Sequence, residues 1–169
     1  MGGPVAAAGW RRVKAAGKFR DAVHGGPLSR KQPKLKPRPG VDEYGRTPLH
    51  HAASDADVAR VAALLGEGAN PGLPDDDGWT PLHFAAQAQA VEVVRRLLEA
   101  GAPVDATDAD GNTPLWRAAF YSSCPTELIV LLRRAGADPC RANLHGVTPL
   151  QLVRDTATPV LAPLFADLP

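Results

Sequence analysis

One short string recurs along this chain at nearly constant intervals, and nothing else in it limits the fold as strongly. TPLH occupies residues 47–50 and again 80–83, TPLW occupies 113–116, and TPLQ occupies 148–151, so the intervals are 33, 33 and 35 residues. A glycine stands two residues ahead of each string: Gly45, Gly78, Gly111 and Gly146. Three residues ahead of each glycine stands Asp42, Asp75, Asp108 or Asn143. Behind three of the strings follow the pairs Ala52-Ala53, Ala85-Ala86 and Ala118-Ala119. Farther on come Leu64-Leu65 and Leu97-Leu98, then Gly68-Ala69, Gly101-Ala102 and Gly136-Ala137.

Each recurring residue type has a physical job. Thr before Pro opens a helix, because the Thr oxygen caps a free N–H and Pro at the first helical position loses no bond. An alanine pair lets two helices approach closely, and a leucine pair gives the second helix its apolar face. Gly68, Gly101 and Gly136 fall where a helix must end in a left-handed residue. Gly45, Gly78 and Gly111 fall in a turn where positive φ suits glycine, and the Asp or Asn ahead of them can bond its own backbone. The unit is a turn, a helix, a tight loop, a second helix and a linker. Such a unit cannot bury its faces alone, so units stack into a solenoid.

These motifs resemble ankyrin repeats over roughly residues 41–155. The resemblance implies an all-α solenoid of about four helix-loop-helix repeats joined by short β-turns. Its repeats fall at 41–73, 74–106, 107–141 and 142–169, behind a basic extension at 1–40. The third repeat carries two extra residues, which alignment places within 120–125. Arg60 stands where the next repeats have Val93 and Leu128, as a unit with no neighbour on one side requires. In the fourth repeat Val153-Arg154 replaces the alanine pair, and Pro159 and Pro163 break up the second helix. Val160, Leu161, Leu164, Phe165 and Leu168 remain to seal that end. The glycine usual between the two helices is absent, with Ala56 and Gln89 in its place.

The net charge of +1 conceals a division at residue 41. Residues 1–40 hold ten basic residues and one acid, net +9, whereas 41–169 hold nine Arg, no Lys and seventeen acids, net −8. Within the extension, KQPKLKPRP at 31–39 alternates basic residues with proline and reads as disordered or extended, and 10–23 reads as a short basic helix weakened by Gly17. No apolar run reaches the 18 residues a membrane helix needs. The first residues lack the pattern of a secretory signal, and Ala6 stands where myristoylation wants Ser or Thr. Cys124 and Cys140 are too few for a disulfide framework and read as reduced thiols of a cytoplasmic protein.

No catalytic pattern accompanies the repeats. G-x-S-x-G, a Gly-rich phosphate loop, paired-Cys ligands and H-E-x-x-H are all missing. His50, His51, His83, Asp55 and Asp57 can be read as metal ligands, but the better reading takes His50 and His83 as the repeat's own histidine, which the resemblance implies bonds between neighbouring turns. No cofactor or metal is implied. The expected role is a non-enzymatic protein-binding module or scaffold, monomeric, engaging its partner through turn tips and the concave face of the first helices. The candidate contacts are Tyr44, Arg46, Asp76, Asp77, Trp79, Asp110, Asn112 and His145 at the tips, with Trp116, Arg117, Phe120 and Tyr121 on the helix. Aromatic and Arg side chains anchor interfaces because they bury large area at modest entropic cost. The acidic repeats point to a basic partner and to an inhibitor or immunity-type protein. The competing reading is an adaptor tethered to nucleic acid or anionic membrane by residues 1–40.

Overall fold

The computed structural model describes residues 39–121 and 126–155. Residues 1–38, 122–125 and 156–169 lie outside the described residues, and with them nearly all of the basic extension, most of the 120–125 window expected to hold the extra pair, Cys124, and the residues from Val160 to Leu168 expected to seal the fourth repeat. Seven helices and no strand occur among the described residues: α1 (Pro48–Ser54), α2 (Val58–Gly66), α3 (Pro81–Gln87), α4 (Val91–Glu99), α5 (Pro114–Tyr121), α6 (Thr126–Arg134) and α7 (Pro149–Asp155). The first helices of the units, α1, α3, α5 and α7, pack in one row. The second helices, α2, α4 and α6, pack in another, and each leans on the first helix of its own unit. This is the all-α repeat solenoid that the sequence pattern predicts.

The recurring string opens each first helix. At α1 and α3 the Thr at the helix cap and the His three residues on form a reciprocal capping box, with Pro in the first turn. At α5 the Thr113 hydroxyl accepts from the Trp116 N–H (3.2 Å), and at α7 Gln151 completes the same reciprocal pair with Thr148. The helix ends are equally regular. Gly68 and Ala69 donate back to Leu65 and Leu64, and Gly101 with Ala102 and Gly136 with Ala137 repeat that closure. Between the paired helices the same closure forms without glycine, so Ala56 (φ 56°) and Gln89 (φ 57°) adopt the left-handed conformation. Gln89 secures its position through its Nε2, which donates to the Ala86 carbonyl (2.9 Å) and, in the next repeat, to the Ala118 carbonyl (3.2 Å).

Leu49, Leu82 and Leu115 with the three alanine pairs fill the space between the rows. Small alanine side chains at these positions let neighbouring first helices pack closely. The second helices add Val61, Val93, Val94, Leu97, Leu128, Ile129 and Leu132. Burial changes at the first unit: Arg60 is exposed where Val93 and Leu128 are fully buried, and Leu64 is half-buried where Leu97 and Leu132 are fully buried.

Two glycines with similar backbone but different surroundings separate strain from crowding. Gly68 (φ +89°) has open space where a Cβ would stand, whereas at Gly78 (φ +82°) a Cβ would meet Asp108 Cα at 3.1 Å and Ala109 N at 3.2 Å. Gly68→Ala should therefore cost only backbone strain, about 1–2 kcal/mol. Gly78→Ala should cost that plus the displacement of the next turn, about 3 kcal/mol or more. Urea midpoints of the two variants check this, and equal losses would contradict the close approach of the turns.

Candidate functional site

The turns ahead of the first helices are built four times on one plan. Oδ1 of Asp42 accepts from the N–H of Tyr44 and Arg46, and Oδ1 of Asp75 accepts from Asp77 and Trp79. Asp108 accepts likewise from Asp110 and Asn112, and Asn143 from His145 and Val147. Each side chain thus satisfies two backbone donors that an isolated turn would leave to solvent. Successive turns are then joined by backbone: Asp76 N–H donates to Tyr44 O, Ala109 N–H to Asp77 O, and Leu144 N–H to Asp110 O, at 2.8–2.9 Å.

The repeat histidines reinforce that seam from beneath. His50 Nδ1 accepts from the Thr47 N–H (3.0 Å), and its Nε2 stands 3.0 Å from the Trp79 carbonyl of the next turn. His83 repeats this with Thr80 N–H (3.1 Å) and the Asn112 carbonyl (3.1 Å). A backbone N–H can only donate and a carbonyl can only accept, so each imidazole is neutral with its proton on Nε2. Burial lowers the pKa of both rings against the opposing pull of those carbonyls, and that of His83 reaches about 4. Asp108 and Arg117 act on His83 with opposite signs.

The second oxygens of the turn carboxylates take up cations. Arg46 Nε lies 3.5 Å from Asp75 Oδ2, and Arg117 pairs with Asp108 in full burial. Burial raises the Asp75 pKa, while the Trp79 and Asp77 amides and Arg46 act against it. The guanidinium carbons stack as well. Arg46 stands 5.0 Å from the Tyr44 ring centre and 5.2 Å from that of Phe84; Arg117 stands 4.0 Å from Trp79 and 5.7 Å from Trp116. Trp79 packs against Phe84 (4.9 Å), and Trp116 stacks on Phe120 (5.0 Å), which meets Tyr121 edge-on. Burial raises the Tyr121 pKa, although the Arg117 side chain opposes it.

This packing sorts the candidate contacts. Asn112, Trp116 and Arg117 are 3–4% exposed and serve the stack itself, so as they stand they present no contact surface. Arg46, Trp79, Phe120 and Tyr121 are half-buried edges of the aromatic and arginine row. Tyr44, Asp110 and His145 are exposed, and Asp76 and Asp77 are half-exposed beside them. Leu144, at the tip of the last turn, is 76% exposed and is the most open large apolar side chain among the described residues. Its position one residue before His145 marked it in the sequence as a tip. Trp79 and Asn112, the residues after the second and third turn glycines, turn their carbonyls toward the histidine of the preceding repeat. Among the described residues no three His, Cys, Asp or Glu side chains gather as metal ligands would, and no helix is long and apolar enough to cross a membrane.

A family model described as ankyrin repeats (three copies) matches residues 55–143, just over half of the chain. The chain belongs to the ankyrin repeat family. No curated protein matches it. Ankyrin repeats generally act as protein–protein interaction modules, and in this member the seam of turns and the adjoining edges of the first helices form the candidate surface.

The neutral histidine link has a measurable pH signature. Above about pH 6.5 His83 is unprotonated in both folded and unfolded chains. Between there and about 4 only the unfolded chain binds the proton, so stability falls as the pH drops through that window and levels off below it. His83→Gln keeps the cap, because Gln151 already performs it in the fourth repeat, and removes the titration. The stability advantage of the natural chain over His83→Gln should shrink by about 3 kcal/mol between pH 7 and pH 4. Chemical denaturation of both proteins at each pH measures it; a constant difference would contradict a neutral buried ring.

Proposed function

We propose that this ankyrin-repeat protein is a non-catalytic binding module for a basic protein partner, engaged through the turn tips and the concave edge of the first helices. The observation that carries this reading is the division of labour among its carboxylates. Asp42, Asp75 and Asp108 are spent on the turns, whereas the carboxylates of Glu43, Asp77 and Asp110 have no partner among the described residues. Together with Asp76 they set a line of negative charge along one seam, with Tyr44 exposed at its first turn and Leu144 at its last. Such a line accelerates encounter with a basic surface, and the apolar ends supply contact area.

A cover for a positively charged enzyme or toxin fits this chemistry, which supports an inhibitor or immunity-type role. The absence of any disulfide framework supports a reducing, cytoplasmic setting. A second reading rests on the ten basic residues of 1–40, which favour an adaptor held by that extension on nucleic acid or anionic membrane.

One experiment separates the two readings. The triple variant Glu43→Arg, Asp77→Arg, Asp110→Arg should lose tenfold or more in partner capture, roughly the effect of reversing several steering charges, with the helical circular dichroism unchanged. Removal of residues 1–38 should leave that capture intact. Capture that survives the triple variant but disappears with the extension would overturn the tip-binding reading in favour of the tether.

A further inference from the structure

Partly exposed aromatic rings recur in each of the first three repeats beside the turn seam. Tyr44 stands at the first tip, Trp79 and Phe84 at the second turn and α3, and Phe120 and Tyr121 at the end of α5. These rings form one continuous ledge. The Arg46 guanidinium joins Tyr44 (5.0 Å) to Phe84 (5.2 Å), and Phe84 packs on Trp79 (4.9 Å). Arg117 then joins Trp79 (4.0 Å) to Trp116 (5.7 Å), on which Phe120 stacks. Both arginines are already paired, with Asp75 and Asp108, so the ledge offers rings rather than charge. Charge stands at the tips beside it. Glu43, Asp77 and Asp110 set one carboxylate without a partner among the described residues in each of three successive repeats. At the fourth tip Leu144, 76% exposed, takes the position that Glu43 has in the first.

We propose, on the basis of the tip-binding reading above, that the ledge takes an extended, proline-rich basic segment of the partner, held as a polyproline II helix with Lys or Arg at every third residue. First helices packed side by side recur at about 8–10 Å, and the backbone bonds between turns hold the tips at that interval. A polyproline II helix has three residues per turn and rises about 3.1 Å per residue, so every third side chain returns to one face after about 9 Å. Lys or Arg at i, i+3 and i+6 therefore meets three successive tip carboxylates, and an apolar side chain at i+9 reaches Leu144. The intervening prolines lie on the rings, as they do in aromatic-lined grooves generally. A β-strand presents same-face side chains at about 6.6 or about 13 Å, out of step with the tips. An α-helix comes into step only at every seventh residue, about 10.5 Å, and docks by an apolar face into a hydrophobic groove. Of the exposed large apolar side chains among the described residues, Tyr44 and Leu144 stand at opposite ends of the seam and Leu73 lies in the linker after α2, so they give a helix no groove.

The test is fluorescence anisotropy of the full chain, at low ionic strength, with three labelled decapeptides of equal charge. The first is three Arg-Pro-Pro triplets followed by Leu. The second keeps its arginine spacing with glycine for every proline, and the third keeps its composition with the three arginines adjacent. The first should bind about tenfold more tightly than either of the others, which lose the preformed conformation or the alignment of the charges. Tyr44→Ala, a change at an exposed ring, should cut the advantage over the glycine peptide about threefold or more, with the helical circular dichroism unchanged. Equal binding of all three peptides would overturn the proposal and leave the preference for a basic partner standing. Binding of none of them, or tighter binding of a helical peptide of the same charge with arginine at every seventh residue, would also overturn it. Probe binding that appears only after removal of residues 1–38 would give the ledge to that extension instead of a partner. The tip-binding reading itself stands or falls separately, on capture by the charge-reversed triple variant.

Discussion

A neutral imidazole that accepts from its own turn and donates to the next is the contact on which this solenoid depends. It uses both ring nitrogens, and each has an unambiguous partner: a backbone N–H on one side and a carbonyl on the other. That arrangement caps a helix and joins two repeats with one side chain. It also fixes the height of the following turn, because the carbonyl it reaches belongs to the residue just after the turn glycine. From there the backbone seam, the buried carboxylates and the arginine stacking all fall into register.

The buried Arg117–Asp108 pair depends on that seam and also tightens it. Removing either partner would strand a charge with almost no access to water, at a cost of about 3–5 kcal/mol. Asp108 is made tolerable as a buried anion by two backbone amides, the Asn112 amide and the guanidinium. The same carboxylate therefore pins a turn, neutralises an arginine and, through Asn112, connects to Asn143 of the last repeat. Charge that would serve recognition elsewhere is consumed here as structure, which leaves Glu43, Asp77 and Asp110 as exposed or half-exposed carboxylates at the tips.

The sequence was informative wherever the physical requirement is local. The left-handed glycines, the Thr-Pro helix starts, the alanine pairs and the repeat register are all set by residues within a few positions of one another. The departures from the pattern also reported their consequences: Ala56 and Gln89 take up the conformation of the missing glycine, and Arg60 stands exposed at the first unit. What one strand of sequence could not rank was the fate of aromatic and arginine residues 30 or so positions apart. Arg117 reads as an interface anchor until Trp79 and Asp108 are seen on either side of it. Asn112 reads as a tip until His83 and Asn143 converge on it. The recurring Asp or Asn ahead of each glycine held the hint, because a side chain repeated in every turn belongs to the turn rather than to a specific surface.

The protonation state of the two linking histidines tests the account most directly. Long-range proton–nitrogen correlation spectra of the folded chain at pH 6 distinguish a protonated ring nitrogen from a bare one. The account predicts that His50 and His83 are neutral there, with Nε2 bearing the proton and Nδ1 bare. A charged imidazolium at either position, or the proton on Nδ1, would contradict it.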